Sequence, residues 1–397
     1  MNSNIKKLYD IAGKPRRLII GLMSGTSLDG LDIALCAIEG CGLETKLELI
    51  QFETVAYDAD FKNEVKTVFS KREIDLEKLC LLNPWIALQH GAMIKNCLHK
   101  WDIMVSEVDL IASHGQTIYH APQHLHQQAK FGNATLQIGD GDHLAVTTGI
   151  ITISDFRQKH IAAGGEGAPL AVYGDYLLFG KKREDRILLN IGGIANFTFL
   201  PGNEENILCT DVGPGNTLMD AFMQQQFTGK FYDEDSAVAK SGIVNEDLLL
   251  TLKENDFFTQ SFPKTTGPEL FNLQYLEQAK QQSRTQHLSV EDTMATLNRF
   301  SADMIVSAIK DCIKDKTEVK IFGSGGGIHN PMLMEQLQQQ LPGCSFVNIE
   351  SLGIDPDAKE AVLFAILANE TVCGNGSLEK KAKGIPDVSM GKVSFPH

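Results

Sequence analysis

Apolar residues along this chain fall into two periods. Short β-branched and aliphatic runs predict strands at Leu18 to Ile20, Leu31 to Ile38, Leu43 to Phe52, Val108 to Ala112 and Gly149 to Ser154. Between them, residues 86–100 carry apolar positions at helical spacing. Asn83 and Pro84 read as the N-cap and first residue of that helix. Residues 187–200 start a second series: strand, glycine turn, strand. This repeats the opening logic at 18–38 and suggests two related halves. A strand near Ile207, a helix capped by Ser289 and reaching about Ile313, a strand at Val319 to Phe322 and a helix over about 358–369 complete the series. Strands alternate with helices, which predicts an α/β protein with mixed sheets where hairpins occur. The charged run Lys181 to Asp185 marks a boundary. The expected division is an N-terminal lobe over 1–185, a C-terminal lobe over 186–370, and a tail over 371–397 that packs back on the first lobe.

The polar positions collect where the predicted strands end. The segments are 24–32, 113–117, 164–169, 190–196, 211–216 and 323–330, and strand ends are where open α/β sheets bind ligands. The first holds most chemistry. Gly25, Thr26, Ser27, Asp29, Gly30 and Asp32 bring backbone N–H groups, two hydroxyls and two carboxylates together. Such groups hold phosphate oxygens and an accompanying Mg²⁺, although a hairpin with a polar tip reads equally from the turn alone. The number of such turns points to a nucleotide between two lobes. No Gly-x-x-x-x-Gly-Lys-Ser/Thr pattern is present, which argues against a P-loop. The glycines at 164–167 lack the partner motifs of protein kinases.

Composition narrows the setting. The net charge of −14 gives no global attraction for nucleic acid or an anionic membrane. An anionic ligand must be held locally. The eight cysteines show no Cys-x-x-Cys pair and no zinc-like spacing, so reduced, mostly buried thiols are expected. Met1 to Arg17 lacks an apolar signal core, and no apolar run approaches a membrane span. These features predict a cytoplasmic enzyme.

Several segments together resemble the anhydro-N-acetylmuramic acid kinase family of the sugar kinase/Hsp70/actin superfamily. They are Gly-Leu-Met-Ser-Gly-Thr-Ser-Leu-Asp-Gly at 21–30, Ser-His-Gly-Gln-Thr at 113–117, Asp155-Phe156-Arg157, and Ala163 to Gly165 with Gly167 to Leu170. Further matches are Leu189 to Gly193, Asp211-x-Gly213-Pro214-Gly215-Asn216, Leu218 to Asp220, Thr266-Gly267 and Phe271-Asn272. The series ends with Gly325 to Gly327 with Asn330, then Glu360-Ala361. They occur in family order over nearly the whole chain.

The resemblance implies two ribonuclease-H-like (actin-like ATPase) lobes with ATP and Mg²⁺ in the interlobe cleft, and a homodimer. It also implies a reaction in which the 1,6-anhydro bridge of the sugar is hydrolysed while O6 is phosphorylated, giving N-acetylmuramic acid 6-phosphate in peptidoglycan recycling. A usual glycosidase needs two carboxyl groups, one for water or C1 and one for the leaving oxygen. Here O6 is captured by the γ-phosphoryl group, so one general base suffices. By the resemblance that base is Asp211, which taken alone reads first as a helix N-cap.

Gly25, Thr26, Ser27, Asp29, Gly30 and Asp32 then match the first phosphate turn, with Asp29 a Mg²⁺ partner through water. Asn190, Gly192 and Gly193 match the second, and Gly325, Gly326 and Gly327 let the backbone approach the adenosine. The sugar side takes Gln116, Thr117, Asp155, Arg157, His160 and Glu166, together with His114 and Glu360. His114 reads equally as a structural histidine, and Glu360 as a solvated helix face. One loop departs from the family pattern: His160 stands where an Asp is usual, and Glu166 where Gln is usual. These changes leave the local charge about the same. They keep open a kinase of the same fold for another amino sugar. A catalytically silent nucleotide or sugar sensor is a third reading, against which the intact Asp211 counts.

Overall fold

In the computed structural model the described residues are 1–25, 27–203, 206–314, 316–348, 357–374, 386 and 388–397. The strands among them are β1 Arg16–Ser24, β2 Gly30–Glu39, β3 Lys46–Ala56, β4 Leu110–Ala121, β5 Ala134–Ile138 and β6 Ile151–Ser154, then β7 Arg186–Ile191, β8 Ile194–Leu200, β9 Leu208–Pro214, β10 Val319–Ser324, β11 Cys344–Asn348 and β12 Lys392–Ser394. They form two mixed sheets. The first has the order β12-β6-β4-β1-β2-β3, with β5 paired to β4; the second has the order β11-β10-β7-β8-β9.

The two sheets share one plan. In each, an antiparallel three-strand meander (β1-β2-β3 and β7-β8-β9) is extended by strands parallel to its first strand (β4, β6 and β10, β11). The repeat expected from the strand-turn-strand pattern is thus present in topology. The first strands of the two meanders are apolar on both faces, as strands covered on both sides must be.

The chain divides into two compact units, Met1–Phe179 with Asp357–His397, and Gly180–Pro356. The division differs from the expected one at both ends. The charged run 181–185 already belongs to the second unit. Arg183 N donates to Gly202 O at 2.8 Å, and Lys320 N donates to Asp185 O at 3.0 Å, which ties the run to β8 and β10. The helix Lys359–Cys373, expected in the second lobe, belongs to the first. Residues Ala361 to Asn369 are buried, and a Cβ at Gly21 of β1 would lie 1.9 Å from the Ala361 carbonyl oxygen. Only glycine permits that approach of helix to strand.

Three local boundaries also moved. The helix Leu76–Lys100 starts at an Asp75 cap, whose carboxylate accepts from Glu77 N and Lys78 N. Pro84 therefore lies inside it. Asn83 is used otherwise: its carbonyl accepts from Asp140 N and its Oδ1 from Gly139 N. β4 continues through Ser113 to Thr117, so that polar segment is strand rather than strand end. Residues Phe156–Ala162 are helical where a loop was expected. Among the described residues no helix is long and apolar enough to cross a membrane.

Candidate active site

In unit 1 the first glycine turn leaves β1 at Ser24 and rejoins the sheet at Gly30. Ser27 and Asp29 are exposed at its tip, and buried Leu28 pins it with a φ of 59°. Thr26 lies outside the described residues. A chain of side-chain hydrogen bonds runs beneath the turn. Gln116 Nε2 donates to the Gly25 and Thr117 carbonyls at 3.3 Å, so its Oε1 is the acceptor for the Ser24 hydroxyl at 2.5 Å. Ser24 Oγ then accepts from the Tyr57 hydroxyl at 2.7 Å, and Tyr57 accepts from His90 Nε2–H at 2.9 Å. Burial holds His90 neutral, with its pKa pushed down to about 4, which suits a donor at that nitrogen.

A second cluster gathers around Arg157. Its Nε donates to His114 Nε2 at 2.9 Å and its Nη1 to the Gly167 carbonyl at 2.7 Å. Burial, with the adjoining guanidinium, pushes His114 down to about 3. The His114 ring packs against Phe364 at 4.8 Å. Glu360 opens the C-terminal helix with an exposed side chain. Enough protein crowds its carboxyl to push its pKa up, against the pull of Arg157 and with Asp32 adding repulsion. Asp32 accepts from the Thr54 hydroxyl at 2.6 Å, and burial together with Asp357 and Asp29 raises its pKa.

The sugar-side residues divide. Gln116 and His114 are internal, one beneath the first glycine turn and the other bonded to Arg157. His160 is 1% exposed, its Nδ1 accepts from Gly167 N at 2.9 Å, and burial lowers its pKa to about 4. It is therefore a neutral support inside the loop. Glu166 points outward toward His124 Nδ1, 3.3 Å away. Asp155 ends β6 with a φ of 58° and pairs with Lys392. Thr117 Oγ1 accepts from Gln137 Nε2 at 3.2 Å.

In unit 2 the hairpin β7–β8 turns at Gly192 and Gly193, and backbone bonds hold it. Gly193 O accepts from Gly215 N at 2.8 Å and Thr217 N at 3.0 Å, while Gly192 O accepts from Asn216 N at 2.9 Å. Asn190 faces Ser324 across the parallel β7–β10 pair. Gly325 has φ +82°, and a Cβ there would lie 2.7 Å from both Asn190 Oδ1 and the Ile191 carbonyl oxygen. Gly326 is exposed and Gly327 is packed on Ile191.

Asp211 stands in β9 opposite Asn196, and the following helix Thr217–Gln226 has Asn216 at its cap position. The N-cap reading of Asp211 is thus replaced by a strand carboxylate. Its Oδ2 accepts from Thr266 N at 2.9 Å, and among the described residues no donor reaches Oδ1. Burial raises its pKa, the Thr266 bond opposes the rise, and Glu269 adds repulsion. Asp220, one turn into the helix, is raised to about 6 by burial. Tyr57, His90 and Lys264 escaped the sequence reading, since no local spacing links them to the glycine turns, and Thr266 was matched without a role.

A family model described as anhydro-N-acetylmuramic acid kinase matches residues 17–393. The anhydro-N-acetylmuramic acid kinase of Pseudoalteromonas atlantica is 58% identical over 403 residues, covering all of both chains. That of Caldanaerobacter subterraneus subsp. tengcongensis is 38% identical over 394 residues, covering 98% of this chain and all of its own. Among solved structures, a putative N-acetylmannosamine kinase from Listeria monocytogenes covers 89% of this chain and 98% of its own, at 14% identity and a TM-score of 0.35. By the family match and these identities, the chain belongs to the anhydro-N-acetylmuramic acid kinase family.

Proposed function

We propose that this protein is an ATP-dependent sugar kinase that opens the 1,6-anhydro bridge of anhydro-N-acetylmuramic acid and phosphorylates O6. The observation that carries the reading is the Asp211 carboxylate. It is fixed by one backbone N–H, accepts nothing else at Oδ1 among the described residues, and its pKa is raised by burial. In this reading Asp211 takes a proton from water as the water oxygen bonds to C1. The C1–O6 bond breaks, O6 bonds to the γ-phosphorus, and ADP leaves. The phosphoryl group does the work of a second carboxylic acid at the leaving oxygen.

The turn Gly25–Gly30 and the hairpin at Asn190, Gly192 and Gly193 hold the phosphates through backbone N–H groups and hydroxyls. Gly325 to Gly327 admit the adenosine. Arg157 and Glu360 meet the sugar, with His114 holding the guanidinium at its Nε. The carboxylates of Asp357 and Asp29 each repel that of Asp32, a repulsion that a cation relieves. Among the described residues no three His, Cys, Asp or Glu side chains gather to hold a metal by themselves. That fits a Mg²⁺ that arrives with ATP and meets Asp29 through water; when bound, it offsets charge on the phosphates. The reading includes a cytoplasmic location and a homodimer, the latter testable by light scattering.

Asp211→Asn tests the assignment. The variant keeps ATP binding by calorimetry and loses turnover by at least about a hundredfold. Near-normal turnover removes Asp211 as the base.

A further inference from the structure

Among the described residues, the Asp211 carboxylate owes its one hydrogen bond to the segment 257–266. Residues 257–266 run beside β9, and Thr266 N–H is the donor to Oδ2. Behind the segment lies a hollow of about 250 Å³, lined by Val212, Phe258, Phe262, Met304, Asp311 and Lys264 itself. The hollow leaves one side of the segment unfilled, so polar tethers act beside its aromatic contacts in setting its position.

Two tethers are visible, and both meet at Lys264. Its backbone is stapled to β9: Lys264 N donates to Thr210 Oγ1 at 3.0 Å, and Asp211 N donates to Lys264 O at 3.0 Å. Its side chain is 9% exposed and turns back on the segment. Nζ donates to the Phe257 carbonyl at 3.0 Å and the Phe258 carbonyl at 3.3 Å. It also lies over the Phe257 ring at 4.5 Å and the Phe262 ring at 5.4 Å. Phe257 and Phe258 are locked in turn against Phe271, and Phe258 also against Phe300. A buried ammonium is an expensive anchor when an aliphatic residue would fill the same space. Its presence calls for a role that packing alone does not serve.

We infer that Lys264 is a positioning residue for the general base. It ties the segment to the aromatic core so that Thr266 N–H stays on the Asp211 carboxylate. The inference rests on Asp211 being that base. The Thr266 bond favours the ionised carboxylate, and the facing Glu269 disfavours it. Asp311 acts on Lys264 in the other direction, favouring its charged form. Since the base works ionised, losing the Thr266 bond raises the pH below which activity falls.

The test is the pH dependence of kcat/KM for the sugar in Lys264→Met, which keeps the aliphatic volume and removes the charge and donors. The expected result is an acid limb moved up by about one pH unit, partial recovery of rate at alkaline pH, and an ATP KM within about twofold of the parent. Thr210→Val, which removes the backbone staple at Oγ1 and keeps the shape, is a second variant in case Lys264→Met does not fold. It is expected to move the limb in the same direction. An equal loss of rate at every pH, with the limb in place, overturns the inference. Asp211→Asn run alongside separates the two ideas. If it stays active, the assignment of the base has failed; if it is inactive and neither variant moves the limb, only the role of Lys264 has failed.

Discussion

The two glycine turns end the first strand of equivalent meanders, yet they are held by different chemistry. In unit 1 the turn after β1 rests on side chains: Gln116, Ser24, Tyr57 and His90 form a directed chain of hydrogen bonds under it. In unit 2 the turn after β7 rests on backbone: the carbonyls of Gly192 and Gly193 accept from Gly215, Asn216 and Thr217. One topological plan is thus stabilised in two ways. A side-chain scaffold titrates and can be cut one group at a time. A backbone scaffold depends on residues small enough to let strands and turns touch.

The largest expected effect breaks the comparison along pH. Unit 1 holds three buried neutral histidines, His90 and His160 lowered to about 4 and His114 to about 3. Below their unfolded pKa near 6.5 the unfolded chain binds protons that the folded unit refuses, so stability falls as pH falls. Each histidine removes about 2 kcal/mol by pH 5. Asp220 in unit 2, raised to about 6, has the opposite sign and favours the folded state as pH drops through that value. Hydrogen exchange resolved by peptide, corrected for intrinsic rates, should show unit 1 opening between pH 6.5 and 5 while the β7–β9 peptides hold. Equal loss in both units contradicts the contrast.

The next effect concerns the backbone scaffold. Gly325→Ala places a Cβ 2.7 Å from Asn190 Oδ1 and the Ile191 carbonyl oxygen at φ +82°. The expected destabilisation is about 3 kcal/mol, from backbone strain and overpacking together, with ATP affinity lowered as well. Urea unfolding and titration calorimetry measure the two. Unchanged values mean that the Gly325 turn relaxes freely and is no rigid support.

A smaller effect is expected from Gln116→Leu in unit 1. It leaves the buried Ser24 hydroxyl without its acceptor and frees the Gly25 carbonyl, which costs about 2 kcal/mol. The ATP KM should rise while kcat at saturating ATP changes little. A fall in kcat with KM unchanged places Gln116 at the reacting groups after all.

The same contrast explains what the sequence made legible. Backbone geometry is written in glycines and strand alternation, so the repeat, the two turns, the strand at 187–200 and the Ser289 cap were readable. Ser24 and Gln116 are 92 positions apart, and no local pattern joins them. Gln116 and His114 looked like ligand groups because their motif was expected at a strand end. β4 continues past it, which turns both side chains inward. His160 is buried because a helix stands where a loop was expected. The packing of Lys359–Cys373 on unit 1 includes the close fit of Gly21 against Ala361, which hydrophobic periodicity does not encode.

The central claim is that one carboxylate opens the anhydro ring while the γ-phosphoryl group captures O6. Turnover of anhydro-N-acetylmuramic acid with ATP and Mg²⁺ in ¹⁸O-water, followed by mass spectrometry of the product, addresses it directly. The account predicts a product carrying one phosphate and one ¹⁸O at the anomeric oxygen. A phosphorylated product without ¹⁸O would contradict it.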